Sequence, residues 1–111
     1  MIMPSETRFA DEATKEAYYK LEKGDVSERE LFRFIRQAMD NIEKNAFCGI
    51  QIQKKQIPRA YTKKYGAANL WKYDLPNAWR LIYTIRAGKA IVISVVLEWM
   101  THKEYERRFD Y

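Results

Sequence analysis

The sequence predicts an α+β fold: an N-terminal helical hairpin packed on a small, mostly antiparallel twisted sheet, closed by a short C-terminal helix. Three observations predict it. Apolar residues recur at helical spacing through the first third of the chain, the period drops to two from Leu70 onward, and a β-branched run from Ala90 to Glu98 leads into a new helix start at Thr101. With 111 residues, 47% hydrophobic and 14% aromatic, one core and a single domain over residues 1–111 are expected. A charged fraction of 32% with only four Gly and three Pro excludes a disordered chain.

The elements follow in order. From about Glu6 to Lys23, Phe9, Ala13, Ala17 and Leu21 recur every four residues and mark the apolar stripe of a first helix. A short strand around Thr7 to Phe9 would leave no pattern of its own. Gly24 is expected to end this helix in the left-handed conformation. Ser27, with Glu30 three residues on, reads as a capping box opening a second helix. Leu31, Ile35, Ala38, Met39 and Ile42 form its buried face, with Phe34 beside them, and the short turn implies an antiparallel hairpin. Phe47 to Gly66 reads as irregular, with a turn at Pro58 and a buried Cys48.

Period-two alternation then places Trp71, Tyr73 and Leu75 on one face and Lys72 and Asp74 on the other. Pro76-Asn77 is a turn signal. Trp79 to Arg86 alternates again, with Trp79, Leu81, Tyr83 and Ile85 opposite Arg80, Ile82, Thr84 and Arg86. Ala87-Gly88 makes a hairpin turn into Ala90–Glu98, expected to be the central strand, covered on both faces. Thr101 with Glu104 forms a second capping box, opening a helix through Phe109.

If the helices cover the aromatic face, Lys72, Asp74, Arg80 and Thr84 lie on the opposite, more open face. Two readings stand there. The cations form a phosphate-binding surface, or the face is merely solvated, with an Asp74–Arg80 cross-strand pair worth under about 1 kcal/mol.

The net charge of +5 is uneven. Residues 1–43 carry seven basic and ten acidic side chains, whereas Asn45 to Tyr73 holds Lys54, Lys55, Arg59, Lys63, Lys64 and Lys72 with no acid in 29 residues. Folding gives no reason to exclude acids from such a window, so a polyanionic partner, nucleic acid above all, is expected there. Other classes are excluded by what is missing. The longest apolar stretch, Ala90 to Leu97, is eight residues against the about twenty of a membrane span, and no secretory signal is visible. One Cys and one His cannot make an internal disulfide or a zinc site. A soluble, cytoplasmic protein without metal or cofactor is expected.

Asn69-Leu70-Trp71-Lys72-Tyr73-Asp74-Leu75, Trp79-Arg80-Leu81-Ile82-Tyr83, Val95-Val96-Leu97-Glu98 and His102-Lys103-Glu104-Tyr105 together resemble the RelE/ParE superfamily of toxins from bacterial and archaeal toxin–antitoxin systems. The element order, two helices followed by three antiparallel strands and a terminal helix, is similar as well. The resemblance covers about residues 5–111, with 69–105 the distinctive part.

It implies ribosome-dependent cleavage of mRNA, held in check by a cognate antitoxin that folds over the basic surface as it binds. Members work without a metal: the 2′-hydroxyl of one nucleotide attacks the adjacent phosphate, which needs a base, cations at the phosphorane and an acid for the leaving oxygen. Carried over by position, Arg80 would grip the scissile phosphate, Lys72 would assist it, and Tyr105 would transfer a proton or stack on a base. His102, three residues before Tyr105 on the same helical face, is a second acid–base candidate. Lys54, Lys55, Arg59, Lys63 and Lys64 would contact the RNA backbone.

Two positions depart from the best-studied branch. Asp74 stands where that branch has a second strand lysine, and Trp99 where it has an arginine. Asp74 would then be a general base or a neutralising partner of Arg80. The alternatives are a ParE-like toxin that targets gyrase, and a catalytically inactive RNA- or protein-binding homologue.

Overall fold

The structure, a computed structural model, describes residues 1–109. It is α+β, in the order β1 (Ser5–Phe9), α1 (Glu12–Glu22), α2 (Val26–Lys44), β2 (Ile50–Gln51), α3 (Arg59–Tyr65), β3 (Trp71–Leu75), β4 (Trp79–Arg86), β5 (Val92–Thr101) and α4 (His102–Phe109), with 3-10 turns at Ala46–Cys48 and Lys54–Gln56. The sheet order is β1-β5-β4-β3-β2, parallel between β1 and β5 and antiparallel elsewhere. The antiparallel core of three strands is thus widened by a strand at each edge.

The expected first helix is two elements. Ser5–Phe9 is a strand in register with Val92–Val96 of β5. It is anchored by buried hydroxyls: Ser94 donates to Ser5 Oγ at 2.9 Å, and Ser5 donates to the Ile42 carbonyl at 2.9 Å. Helix α1 begins only after Asp11, whose carboxylate accepts the Thr14 N–H at 2.7 Å. The stripe drawn from Phe9 through Ala13 and Ala17 therefore fails. Both alanines are exposed, and α1 packs through Tyr18, with Leu21 partly buried. Alanine spacing carried no burial because a methyl group loses little by staying in water.

Helix α2 is capped two residues before the expected Ser27. Asp25 accepts the Glu28 N–H at 2.9 Å and Glu28 accepts the Asp25 N–H at 3.2 Å, so the capping box is Asp25/Glu28 and Ser27 lies inside the first turn. Gly24 is not left-handed; among the described residues the one glycine with positive φ is Gly66. The expected α2 face is buried at Leu31, Ile35, Ala38 and Ile42, joined by Phe32, with Phe34 and Met39 partly buried. It packs on Trp71, Leu75, Leu81, Tyr83 and Val96 of the sheet.

The segment Phe47–Gly66, expected to be irregular, holds β2 and α3. Ile50 and Gln51 pair with Lys72 and Trp71. Pro58 is the N-cap of α3 at φ −59°, and Gly66 ends the helix at φ 65°. Cys48, expected inside, is exposed.

The expected open face of the sheet is mostly closed. Helices α3 and α4 supply Tyr61, Tyr105 and Phe109 to a second core with Ile52, Leu70, Ile82, Val95, Leu97 and Met100. Thr84, expected on the open side, is fully buried and donates to the Asn69 carbonyl at 2.7 Å. The β-branched run is an interior strand covered on both faces, as its composition implies, but it spans Val92–Thr101, and residues 87–91 form a longer connection than an Ala87-Gly88 turn. A bulge lets Ile82 face Glu98 while Tyr83 faces Val96. The extra residue turns Glu98 to the α4 side, where Arg108 pairs with it at 2.6 Å. Helix α4 opens as expected with the Glu104 N–H on Thr101 Oγ1 at 3.2 Å, although the Glu104 carboxylate goes to Arg107 and Arg108 instead of closing the box. No described helix is long and apolar enough to cross a membrane.

Candidate functional site

Strand register brings the first three candidates together. Lys72 and Asp74 are two apart on β3 and share a face, and Asp74 stands directly opposite Arg80 on β4. The Asp74 carboxylate receives both cations on one oxygen: Lys72 Nζ at 2.8 Å and Arg80 Nε at 3.0 Å. Arg80 Nε, although this close, is out of line for a hydrogen bond, so a buried N–H has a charge partner but no aligned acceptor. Of its two terminal nitrogens, one donates to the Trp79 carbonyl at 2.9 Å and the other meets His102 Nδ1 at 2.9 Å. The Arg80 side chain is only 14% exposed and that of Lys72 16%, against 46% for Asp74 and 44% for His102. The cations are thus recessed, with the carboxylate and the imidazole toward water.

His102 reaches this point because α4 starts directly at the end of β5. Its backbone N–H donates to the Ala78 carbonyl at 2.6 Å, which pins the helix start to the β3–β4 turn. Asn77 and Ala78 in that turn have φ 58° and 59°, a left-handed bend that aims the Ala78 carbonyl at α4. One helical turn on, Glu106 Oε1 lies 3.1 Å from His102 Nε2. Tyr105 is 1% exposed, its ring 4.4 Å from that of Phe109 and 6.5 Å from the His102 ring. Lys72 Nζ sits 5.5 Å from the Tyr105 ring centroid, within reach of a cation–π attraction. All five residues expected to carry chemistry (Lys72, Asp74, Arg80, His102 and Tyr105) therefore meet at one end of the sheet, contributed by three elements.

The expected backbone-binding cations lie elsewhere on the chain. Lys54 and Lys55 occupy a 3-10 turn, and Arg59, Lys63 and Lys64 the exposed side of α3. Among the described residues none of the five forms an ion pair with a carboxylate within 4 Å. Lys64 Nζ lies 5.2 Å above the Tyr65 ring. The pair Glu98–Arg108 lines a cleft of about 340 Å³ together with Tyr61, Lys64 and Tyr65. Burial pushes the Tyr61 phenol upward, and the neighbouring Glu98 carboxylate adds to the shift.

Glu106 is the residue that the sequence reading missed. Its spacing of four from His102 on a helix opened by Thr101 was the available signal. No group of His, Cys, Asp or Glu suited to a metal ion occurs among the described residues. The arrangement can hold an anion on Arg80 and Lys72 and can pass a proton through His102 or Asp74. Comparison with protein-family models, with curated proteins and with solved structures finds no match to this chain.

Proposed function

We propose that this protein is an endoribonuclease of the RelE type: the toxin of a type II toxin–antitoxin pair, cleaving mRNA on the ribosome and inhibiting translation. The observation that carries the reading is Arg80, a recessed guanidinium held toward Asp74 through its buried Nε, with the terminal fork reaching the half-exposed His102. A phosphate is the natural acceptor for such a fork. In the reaction the 2′-oxygen bonds to phosphorus as its proton passes to His102 or Asp74. The bond from phosphorus to the 5′-oxygen breaks, and that oxygen leaves with a proton from an acid. Arg80 and Lys72 neutralise the phosphorane formed in between. The exposed cations of α3 and of the Lys54–Gln56 turn support the same reading, as a track for the RNA backbone. The cognate antitoxin and the ribosome are the partners it requires.

A second reading has its own support. Lys72 and Arg80 are matched in number by Asp74 and Glu106, so the cluster carries little formal excess of positive charge. That balance suits a homologue that binds RNA or protein without cleaving.

The test is a reconstituted translation reaction with mRNA 5′ ends mapped by primer extension, alongside a ribosome-free control. Ribosome-dependent cuts are expected, reduced about 10²–10³-fold in Arg80→Ala, the usual cost of removing one oxyanion donor. Arg80→Lys should recover only part, because a point charge cannot replace the fork. Folded wild-type protein that makes no cuts would reject the nuclease and leave the binding reading.

A further inference from the structure

We propose that His102 is a masked base: its Nδ1 is the proton-accepting nitrogen, capped by Arg80 in the free protein and uncovered when an anion takes the guanidinium. Glu106 acts as a positioning residue that holds the ring in this orientation. The consequence for RNA cleavage rests on the nuclease reading, whereas the tautomer and the masking rest on geometry alone.

The assignment comes from what each partner can do. A guanidinium has N–H donors and no acceptor, so the 2.9 Å contact from Arg80 to Nδ1 requires a lone pair on Nδ1. The carboxylate of Glu106, 3.1 Å from Nε2, is an acceptor only and requires the proton there. The two ends of the ring independently demand the same tautomer, with the proton on Nε2. A half-turn of the ring would set both partners against carbons, so the pair also fixes its orientation. The nitrogen free to accept a proton therefore points at Arg80 and at the place an anion on Arg80 would occupy.

The charged groups around this point, Asp74 and Lys72 from β3, Arg80 from β4 and Glu106 from α4, explain how the mask lifts. Arg80 is already drawn toward Asp74 through Nε at 3.0 Å and tied to the Trp79 carbonyl through one terminal nitrogen. Its bond to His102 Nδ1 is the one made to a neutral acceptor on a half-exposed ring, and an anionic oxygen competes with it best. A bound phosphate takes that N–H, and Nδ1 is left beside the bound group with its lone pair free. Binding and exposure of the base are then one event.

The protein has one histidine, so a ¹⁵N-labelled sample gives a single imidazole spin system. Long-range ¹H–¹⁵N spectra, recorded where the ring is neutral, are expected to show a pyrrole-like Nε2 and a pyridine-like Nδ1. Saturation with a 2′-deoxy oligonucleotide, which lacks the attacking hydroxyl, should move Nδ1 and leave Nε2 in place. In Arg80→Ala the Nδ1 signal should already be displaced and should not respond. Glu106→Gln should behave as wild type, since its amide oxygen still accepts from Nε2. Glu106→Ala should lose the slowly exchanging Nε2–H, with backbone spectra unchanged outside the start of α4. In cleavage assays Glu106→Ala should lower kcat with KM unmoved, and Glu106→Gln should restore it.

A pyrrole-like Nδ1 in the wild type overturns the proposal. So does an Nδ1 signal that stays put at saturation, or one indifferent to Arg80→Ala. If the free oligonucleotide does not bind without the ribosome, the nuclease reading is judged by the translation assay, and Arg80→Ala against wild type decides the masking.

Discussion

A Cβ on Gly49 would stand 2.6 Å from the Lys72 carbonyl oxygen and 2.7 Å from the Tyr83 hydroxyl. Neither can give way easily. Tyr83 is fully buried, donates to the Ala46 carbonyl at 2.6 Å and accepts the Gly49 N–H at 3.1 Å. Gly49→Ala must therefore shift backbone and is expected to cost about 1–3 kcal/mol in urea unfolding. In a Tyr83→Phe background the added cost should be smaller, because part of the obstruction has gone; strictly additive costs would remove the hydroxyl from the explanation. Gly66 offers the contrast. Nothing lies within 4 Å of a Cβ there, but φ is +65°, so Gly66→Ala should cost about 1–2 kcal/mol from backbone conformation alone. Residues of this kind were hard to read in sequence. Gly24 looked like the left-handed helix end and is not, because Lys23 and Asp25 manage the junction between α1 and α2 with ordinary backbone angles.

At the scale of the element, α3 is the test of the basic window. The helix is seven residues long and buries only Tyr61, so it has too few turns for periodicity to register. Pro58 at its N-cap and Gly66 at its C-cap bound it, but in sequence Pro58 reads only as a turn within an irregular segment. If Arg59, Lys63 and Lys64 track RNA phosphates, replacing each by Ala should lower the slope of log binding constant against log salt by about 0.7. Fluorescence anisotropy with a single-stranded RNA across a salt series reads this directly. Unchanged slopes would move the nucleic-acid face away from α3. Strands β3 and β4 were readable almost to the residue because alternation of aromatic and charged side chains is strong there. Strand β1 was not, because five residues at a sheet edge with Ser, Thr and Arg among them carry no distinctive pattern.

The whole molecule is held by two cores on opposite faces of one sheet, and tyrosines report on both. Burial pushes the Tyr18 phenol up to about 12 and raises Tyr83 in the first core and Tyr61 in the second. A phenol whose folded pKa is raised contributes stability that is complete below its unfolded value of 10.0 and lost as pH rises toward the folded value. Urea midpoints are therefore expected to fall from about pH 10 upward, and tyrosinate absorbance from these three rings should appear with unfolding and not before it. Tyr61→Phe should flatten part of that fall. Independent early titration of all eight tyrosines would contradict the burial.

Composition and periodicity determined the α+β class, the α2 face, the limits of β4 and α4, and the common face of Lys72, Asp74 and Arg80. These properties repeat along the chain every two or every three to four residues, and a local pattern suffices to show them. The tertiary structure alone decided that β1 lies parallel to β5, that α3 and α4 close the second face, and that His102 meets Arg80. Each of these depends on contacts between residues far apart in the chain, such as Ser5 with Ser94 and Arg80 with His102. Their energies come from which surfaces are left to bury once the local elements have formed, a choice that no short window of sequence contains.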